Sequence, residues 1–234
     1  MSGEISPLKR SSLRIFGGLA KSYDSVLAYA TLMQDRRWKD WVVRSAGLKS
    51  GMKVLDIGCG TCVLEESIGP NCQVVGMDLS EEMLTVGRSK RLGNIGSLIH
   101  SDGERLPFRN ESFDAVLSCY VVKYCDESRL VSEAARVLRP GGRLAFYDFV
   151  RPRGALWPLN AIYAYGGLRI AGRILSLSHA DTAYTFSALP GIIEKRPWDA
   201  SFSQTLASHG FYAIEETLLP GGVAAGFQAE KGNS

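Results

Sequence analysis

Val54-Leu55-Asp56-Ile57-Gly58-Cys59-Gly60-Thr61 decides how this 234-residue chain folds. An apolar run carries an acid near its end and passes straight into a loop with two glycines. Glycine has no Cβ, so such a loop lets bare backbone approach a ligand closely. About one βαβ unit later, Val74-Val75-Gly76-Met77-Asp78 is a second apolar strand ending in an acid. An acid at that place is where an open parallel sheet holds a nucleotide ribose. Together the two stretches predict a nucleotide-type cofactor site. The dinucleotide fingerprint G-x-G-x-x-G/A is incomplete, because Val63 stands at its third small position, and Asp56 ahead of the glycines is atypical of nicotinamide proteins.

Outward from these strands, helical and strand periodicities alternate. Residues 1–20 are polar and rich in Ser and Gly, and are expected to be flexible. Residues 22–46 read as helix, with Val26, Leu27, Ala30, Trp38, Trp41 and Val42 on apolar faces. Strands are expected at about 53–57, 73–77, 95–100, 113–119 and 143–149. Ser80 reads as a helix N-cap, with Glu81 and Glu82 in a first turn that leads to about residue 91. A helix over 127–138 carries Leu130, Val131, Ala134, Val137 and Leu138 at helical spacing and stops at Pro140-Gly141-Gly142. A last helix over 199–208 ends at Gly210, where His209 would serve the C-terminal dipole. Strands at about 211–218 and 223–229 flank Pro220-Gly221-Gly222. This order predicts an α/β, Rossmann-like fold. Its seven-stranded sheet is mostly parallel, with helices on both faces and an antiparallel C-terminal strand.

Residues 21–234 read as one domain with an insertion at about 151–195. Residues 151–178 hold no acid; aromatic and aliphatic side chains lie there among Arg151, Arg153, Arg169 and Arg173. Two readings stand side by side. One is a helical insertion packed on the sheet. The other is a lid over a greasy substrate, or a surface touching a membrane with anionic lipids.

The chain has 27 basic and 24 acidic residues, a net charge of +3, which does not suggest a nucleic-acid binder. No run reaches the length of a membrane span and the N-terminus shows no signal-peptide pattern, so a cytoplasmic location is expected. The five cysteines, an odd number, fit a reducing compartment. Cys59 and Cys62 form a C-x-x-C. With no second paired motif they read as small residues of the cofactor loop rather than a zinc or redox pair. His100, His179 and His209 are scattered, and no metal is expected.

The D-x-G-x-G-T form of Asp56 to Thr61 resembles motif I of the class I S-adenosylmethionine-dependent methyltransferases. Ser101-Asp102-Gly103, Leu106-Pro107-Phe108, Phe113-Asp114 and Arg136-Val137-Leu138-Arg139-Pro140-Gly141-Gly142 stand in register with it. Over about residues 16–229 the chain is similar to the ubiquinone/menaquinone biosynthesis C-methyltransferase family. The residues that carry this likeness are Phe16, Ala20, Tyr23-Asp24 and Arg36-Arg37-Trp38-Lys39, then Asp148-Phe149-Val150-Arg151-Pro152. Asp181-Thr182-Ala183-Tyr184, Gly210-Phe211 and Gly221-Gly222-Val223-Ala224 continue it. The chain departs from the family at Lys123-Tyr124, where Arg-Asn is usual, at Leu27 and at Thr31-Leu32-Met33. Lysine lacks arginine's planar fork, so these departures bear on the substrate and not on the cofactor.

The resemblance implies S-adenosylmethionine as cofactor. Asp56, Gly58, Gly60 and Thr61 would surround its methionine part, with Tyr23 closing over that end. Asp78 would take the ribose hydroxyls, Leu79 would pack by the adenine, and Asp102 and Gly103 would meet the adenine edge. Cys119 would offer backbone near the sulfonium. The implied substrate is a prenylated quinol, whose ring carbon becomes nucleophilic when a hydroxyl loses its proton. A cation or base is then wanted near the pocket mouth. Lys123 is the candidate cation, and Asp148 and Tyr184 are candidates for proton handling. Two readings compete with this one: methylation of another apolar acceptor (a sterol, lipid or secondary metabolite), or a non-catalytic cofactor-binding scaffold. Peripheral membrane contact is expected, and a homodimer stays open.

Overall fold

The computed structural model describes residues 6–154, 158 and 191–233. Seven strands form one sheet in the order β3-β2-β1-β4-β5-β7-β6. They are β1 Lys53–Ile57, β2 Gln73–Asp78, β3 Ile95–His100, β4 Phe113–Cys119, β5 Leu138–Phe149, β6 Phe211–Leu218 and β7 Ala224–Lys231. Strands β1 to β5 pair in parallel, and β7 runs antiparallel between β5 and β6. The predicted fold class is therefore the observed one.

Side chains alternate across the central strands, so each strand feeds two cores. Val116, Leu144, Phe146 and Phe227 meet helix α6 (Glu127–Val137) and helix α7 (Phe202–Ser208) on one face. Ala115, Leu117, Ala145 and Tyr147 meet helix α3 (Asp35–Ser45) on the other, through Trp38 and Val42. Trp38 is fully buried, and its indole N–H donates to Pro220 O (2.9 Å), which ties α3 to the β6–β7 turn. Helix α5 (Glu81–Ser89) starts as expected: Ser80 Oγ accepts from Met83 N, with Glu81 and Glu82 in the first turn. His209 Nδ1 lies 2.8 Å from Thr205 O at the end of α7.

Three expectations are corrected. Within the stretch 1–20, expected to be flexible, Pro7–Leu19 form helix α1. Ser6 caps it by accepting from Lys9 N, and proline at the first helical position loses no hydrogen bond. The helix expected over 22–46 is two, α2 (Tyr23–Ala30) and α3, because Leu32 and Met33 take positive φ values of 50° and 61°. Strand β5 begins at Leu138, five residues before Arg143, because Leu138 already pairs with Phe113 ahead of an irregularity that absorbs the Pro140-Gly141-Gly142 turn. A short helix, α4 (Val63–Ser67), follows the glycine loop.

Among the described residues no helix is long and apolar enough to cross a membrane. Most of the insertion, with Arg169, Arg173 and Tyr184, lies outside the described residues. At its start, Arg153 pairs with Glu216 and Asp199 outside the insertion, and Arg151 donates to Glu194 O at the insertion's other end.

Candidate active site

The glycine loop is built by the end of β1. At Gly58 the chain turns with φ +77°, and a Cβ there would stand 2.1 Å from Val121 Cγ2. Only glycine satisfies both demands. The amides of Gly58 and Cys59 both donate to Met77 O (2.7 and 2.9 Å), which fastens the loop to the end of β2. Gly60 N then donates to Asp78 Oδ2 (2.9 Å) and Ser80 N to Asp78 Oδ1 (2.8 Å). Two main-chain donors thus aim the Asp78 carboxylate. Burial raises its pKa, and the amides of Ser80, Gly60 and Leu79 oppose that rise.

At the carboxyl ends of β1, β2 and β4 lies a pocket of two lobes that share Tyr23, Gly58, Gly60, Cys119 and Tyr120. The larger lobe, about 660 Å³, has Asp78, Leu79, Asp102 and Gly103 on one side and Phe16 and Tyr124 among its other walls. The smaller, about 310 Å³, is lined by Asp56, Thr61 and Lys39. Every residue predicted to hold the cofactor lines one lobe or the other. Gly103 is required by close packing, since a Cβ would come within 2.8 Å of Ile57 Cγ2.

The arrangement fits an adenosyl amino-acid cofactor on the chemistry of its donors. Asp78 and Asp102 present acceptors for hydroxyl and amino hydrogens in the larger lobe. In the smaller, Asp56 Oδ1 is buried without a hydrogen-bond partner among the described residues. A buried acceptor left unpaired is costly, and an ammonium group would satisfy it. Thr61 Oγ1 donates to Asp24 Oδ1 (2.5 Å), which fixes the rotamer of a loop hydroxyl. Behind the loop, the Glu65 carboxyl is also buried, set against that of Asp56. Desolvation raises Glu65 to about 7. Asp56 is raised well above its usual range, first by burial and then by the neighbouring Glu65. The sulfur atoms of Cys59 and Cys62 and a carboxylate oxygen of Glu65 lie within 4.8 Å of one another, and the two cysteines pack against Leu84, Leu92, Ile95 and Leu98.

The residues predicted for catalysis fall elsewhere. Lys123 is neither exposed nor at the pocket mouth. It is 1 % exposed, and its ammonium pairs with the fully buried Asp148 at 2.5 Å while donating to Tyr120 O at 3.0 Å. Asp148 Oδ1 also accepts from Phe149 N (2.7 Å), and Oδ2 accepts from Lys123 N (3.2 Å). Two residues predicted as independent agents are one ion pair, and each is saturated by the other and by main chain. Burial lowers the pKa of Lys123, and Asp148 opposes it; burial raises Asp148, and Lys123 opposes it. Tyr184 lies outside the described residues.

Several pocket residues were not predicted for the site. Lys9 reaches from α1 across the larger lobe and binds both oxygens of Asp102 at 2.7 Å, and Glu104 at 2.7 Å. Its signal was Ser6-Pro7, a cap followed by a first-turn proline. Lys39, in the smaller lobe, pairs with Asp35 at 2.5 Å. Asp35 Oδ1 accepts from the hydroxyls of Tyr120 (2.7 Å) and Tyr147 (3.0 Å). Phe16 and Tyr124 join the predicted Tyr23 in an aromatic wall, the ring of Phe16 standing edge-on to Tyr23 at 5.8 Å and to Tyr124 at 5.6 Å.

Residues 8–231 match the model of the ubiE/COQ5 methyltransferase family. The ubiquinone/menaquinone biosynthesis C-methyltransferase of Saccharophagus degradans is 30% identical over 221 residues, 90% of this chain and 87% of that protein. The demethylmenaquinone methyltransferase of Mycolicibacterium paratuberculosis is 30% identical over 225 residues, 95% of this chain and 94% of that one. A crystal structure of an S-adenosylmethionine-dependent methyltransferase from Aquifex aeolicus superposes with a TM-score of 0.54 at 19% identity, covering 82% of this chain and 88% of that chain. With nearly the whole chain matched and its glycine loop, strand-terminal acids and pocket in the expected places, this protein belongs to the ubiE/COQ5 methyltransferase family.

Proposed function

We propose that this methyltransferase uses S-adenosylmethionine to methylate a ring carbon of a demethylated polyprenyl quinol. The observation that carries the reading is the pair of acids in the two-lobed pocket. Asp78 is aimed by two amides where a ribose would lie, and Asp56 keeps an unpaired oxygen where an ammonium would lie. Bound there, the cofactor would supply a methyl group already activated by its sulfonium. The chain's own residues then have three tasks. Asp56, Asp78 and Asp102 hold and orient. Gly58 and Gly60 let main chain close on the ligand. Phe16, Tyr23, Tyr120 and Tyr124 exclude water and leave an apolar place for a flat ring beside Cys119. Two curated relatives named for quinone methylation, each about as long as the matched region, support the acceptor class.

In this reading residues 21–234 act as one class I domain, with 151–195 as the lid that receives the polyprenyl tail. The basic, aromatic stretch 151–178 brings the enzyme to an anionic membrane surface, where such a substrate resides. The test is direct. Purified protein, methyl-labelled S-adenosylmethionine and reduced demethylmenaquinone are expected to give a product heavier by one methylene, with the label on a ring carbon. Label transferred instead to an oxygen, or to a sterol and not to the quinol, overturns the acceptor assignment.

A further inference from the structure

We propose that Tyr124 recognises the methyl acceptor, its hydroxyl donating a hydrogen bond to a ring oxygen of an aromatic diol. The inference deepens the quinol reading and rests on it only for the acceptor's identity.

Tyr124 belongs to the wall of the larger lobe, beside Cys119, Tyr23 and Phe16. Its hydroxyl oxygen is buried and makes no hydrogen bond, the only hydroxyl of which this holds among the described residues. The neighbouring pocket tyrosine is different: the Tyr120 hydroxyl is committed to Asp35. A buried phenol without a partner is an expense that folding alone gives no reason to keep, since phenylalanine would fill the same space. The ring is also held deliberately. The Lys123 ammonium lies 4.6 Å from its centroid, and the Lys123–Asp148 pair stitches the turn Val122–Tyr124 to the end of β5. A cation against the ring face draws electron density from it and makes the hydroxyl a better donor. Burial, and after it the Asp148 carboxylate, push the phenol's pKa upward, so it keeps its proton throughout the working range and acts as donor, never as base. Negative charge gathers on the oxygen of a quinol as its ring carbon attacks, and a fixed donor at that oxygen favours the charged state. Lys123 and Asp148 are then positioning residues, because neither touches the pocket.

The experiment compares wild type with Tyr124→Phe, each loaded with S-adenosylhomocysteine, for binding of 1,4-naphthalenediol and of 1,4-dimethylnaphthalene by anaerobic calorimetry. We expect the variant to bind the diol about tenfold more weakly, the hydrocarbon equally well and S-adenosylhomocysteine within about twofold. Its Tm should equal or exceed that of wild type, since an unpaired hydroxyl is gone. A role confined to packing would leave diol and hydrocarbon shifted alike. Tyr124→Met provides a second reading of the same contrast. Diol affinity unchanged in Tyr124→Phe, or a wild type that does not prefer the diol to the hydrocarbon, overturns the proposal. A wild type that binds the diol through Tyr124 yet transfers no methyl to demethylmenaquinol sinks the quinol reading and leaves Tyr124 standing.

Discussion

Two strands of the same sheet carry an aspartate at or next to their carboxyl end, and the two acids are used in opposite ways. Asp78, at the end of β2, is held by main-chain amides and faces the larger lobe. Asp148, near the end of β5, is held by a lysine and faces nothing but protein. Amides orient a carboxylate without neutralising it, so Asp78 keeps its charge and free lone pairs for a ligand. An ammonium at 2.5 Å neutralises Asp148, and three further hydrogen bonds to main chain saturate the pair. The difference teaches that a strand-end acid aimed by amides stays open to a ligand, whereas one sealed against a fully buried lysine does not.

The comparison can be broken by substitution, and the largest effect belongs to the sealed acid. Asp148→Ala leaves the Lys123 ammonium buried and unpaired, a change that costs on the order of 3–5 kcal/mol. Thermal melting should show a fall of roughly 6–20 °C. The double variant Lys123→Met/Asp148→Leu should recover most of it, since an apolar pair of similar volume stands in well for a buried ion pair. A single variant as stable as wild type would mean that the pair is not buried in solution.

Asp78→Ala should do the reverse: little change in melting, and a loss of S-adenosylmethionine affinity of at least about 100-fold, or ~3 kcal/mol, by calorimetry. Retained micromolar affinity would remove Asp78 from the ribose site.

A third acid sharpens the contrast, because at Glu65 burial outweighs its own amide, the Asp56 carboxyl and the more distant Lys90 and Lys39. Its carboxyl keeps its proton to about pH 7 in the folded protein, against an ordinary value of 4.5. Between those values the folded state binds more protons than the unfolded one. Stability therefore falls as pH rises from about 4.5 to 7, and the full penalty stands above 7. Glu65→Gln should raise Tm at pH 8 through about 3 kcal/mol of recovered stability, with little change at pH 4.5. Equal shifts at both pH values would break this account.

The smallest effect is expected at Lys9, which ties α1 to Asp102 and Glu104 over the larger lobe. Lys9→Met should speed cofactor release roughly 3- to 10-fold, about 1 kcal/mol, in stopped-flow displacement. An unchanged release rate would place α1 outside the exit path.

Legibility was highest where residue type by itself fixes the local backbone. The strands and the N-cap at Ser80 depend on neighbours a few residues away, and period-2 and turn signals declare them; the positive φ of the cradle is declared by Gly58 and Gly60 themselves. Helix α1 was missed because its polar composition outweighed the local Ser6-Pro7 signal. The break between α2 and α3 was missed because Leu32 and Met33 take left-handed backbone that their side chains do not advertise. Lys123 and Asp148 were each singled out, and nothing in their spacing showed that they bond to each other across 25 residues.

Sequence by itself determined the sheet, the glycine loop and the acids of the cofactor end, because backbone constraints there are written in residue types at fixed local spacing. Only the tertiary structure decided which charged groups are free. It closed Lys123 on Asp148, laid Lys9 over Asp102 and left the hydroxyl of Tyr124 without a partner. The physical reason is that the state of a buried polar group depends on what three-dimensional packing sets beside it, and that neighbour can come from anywhere in the chain.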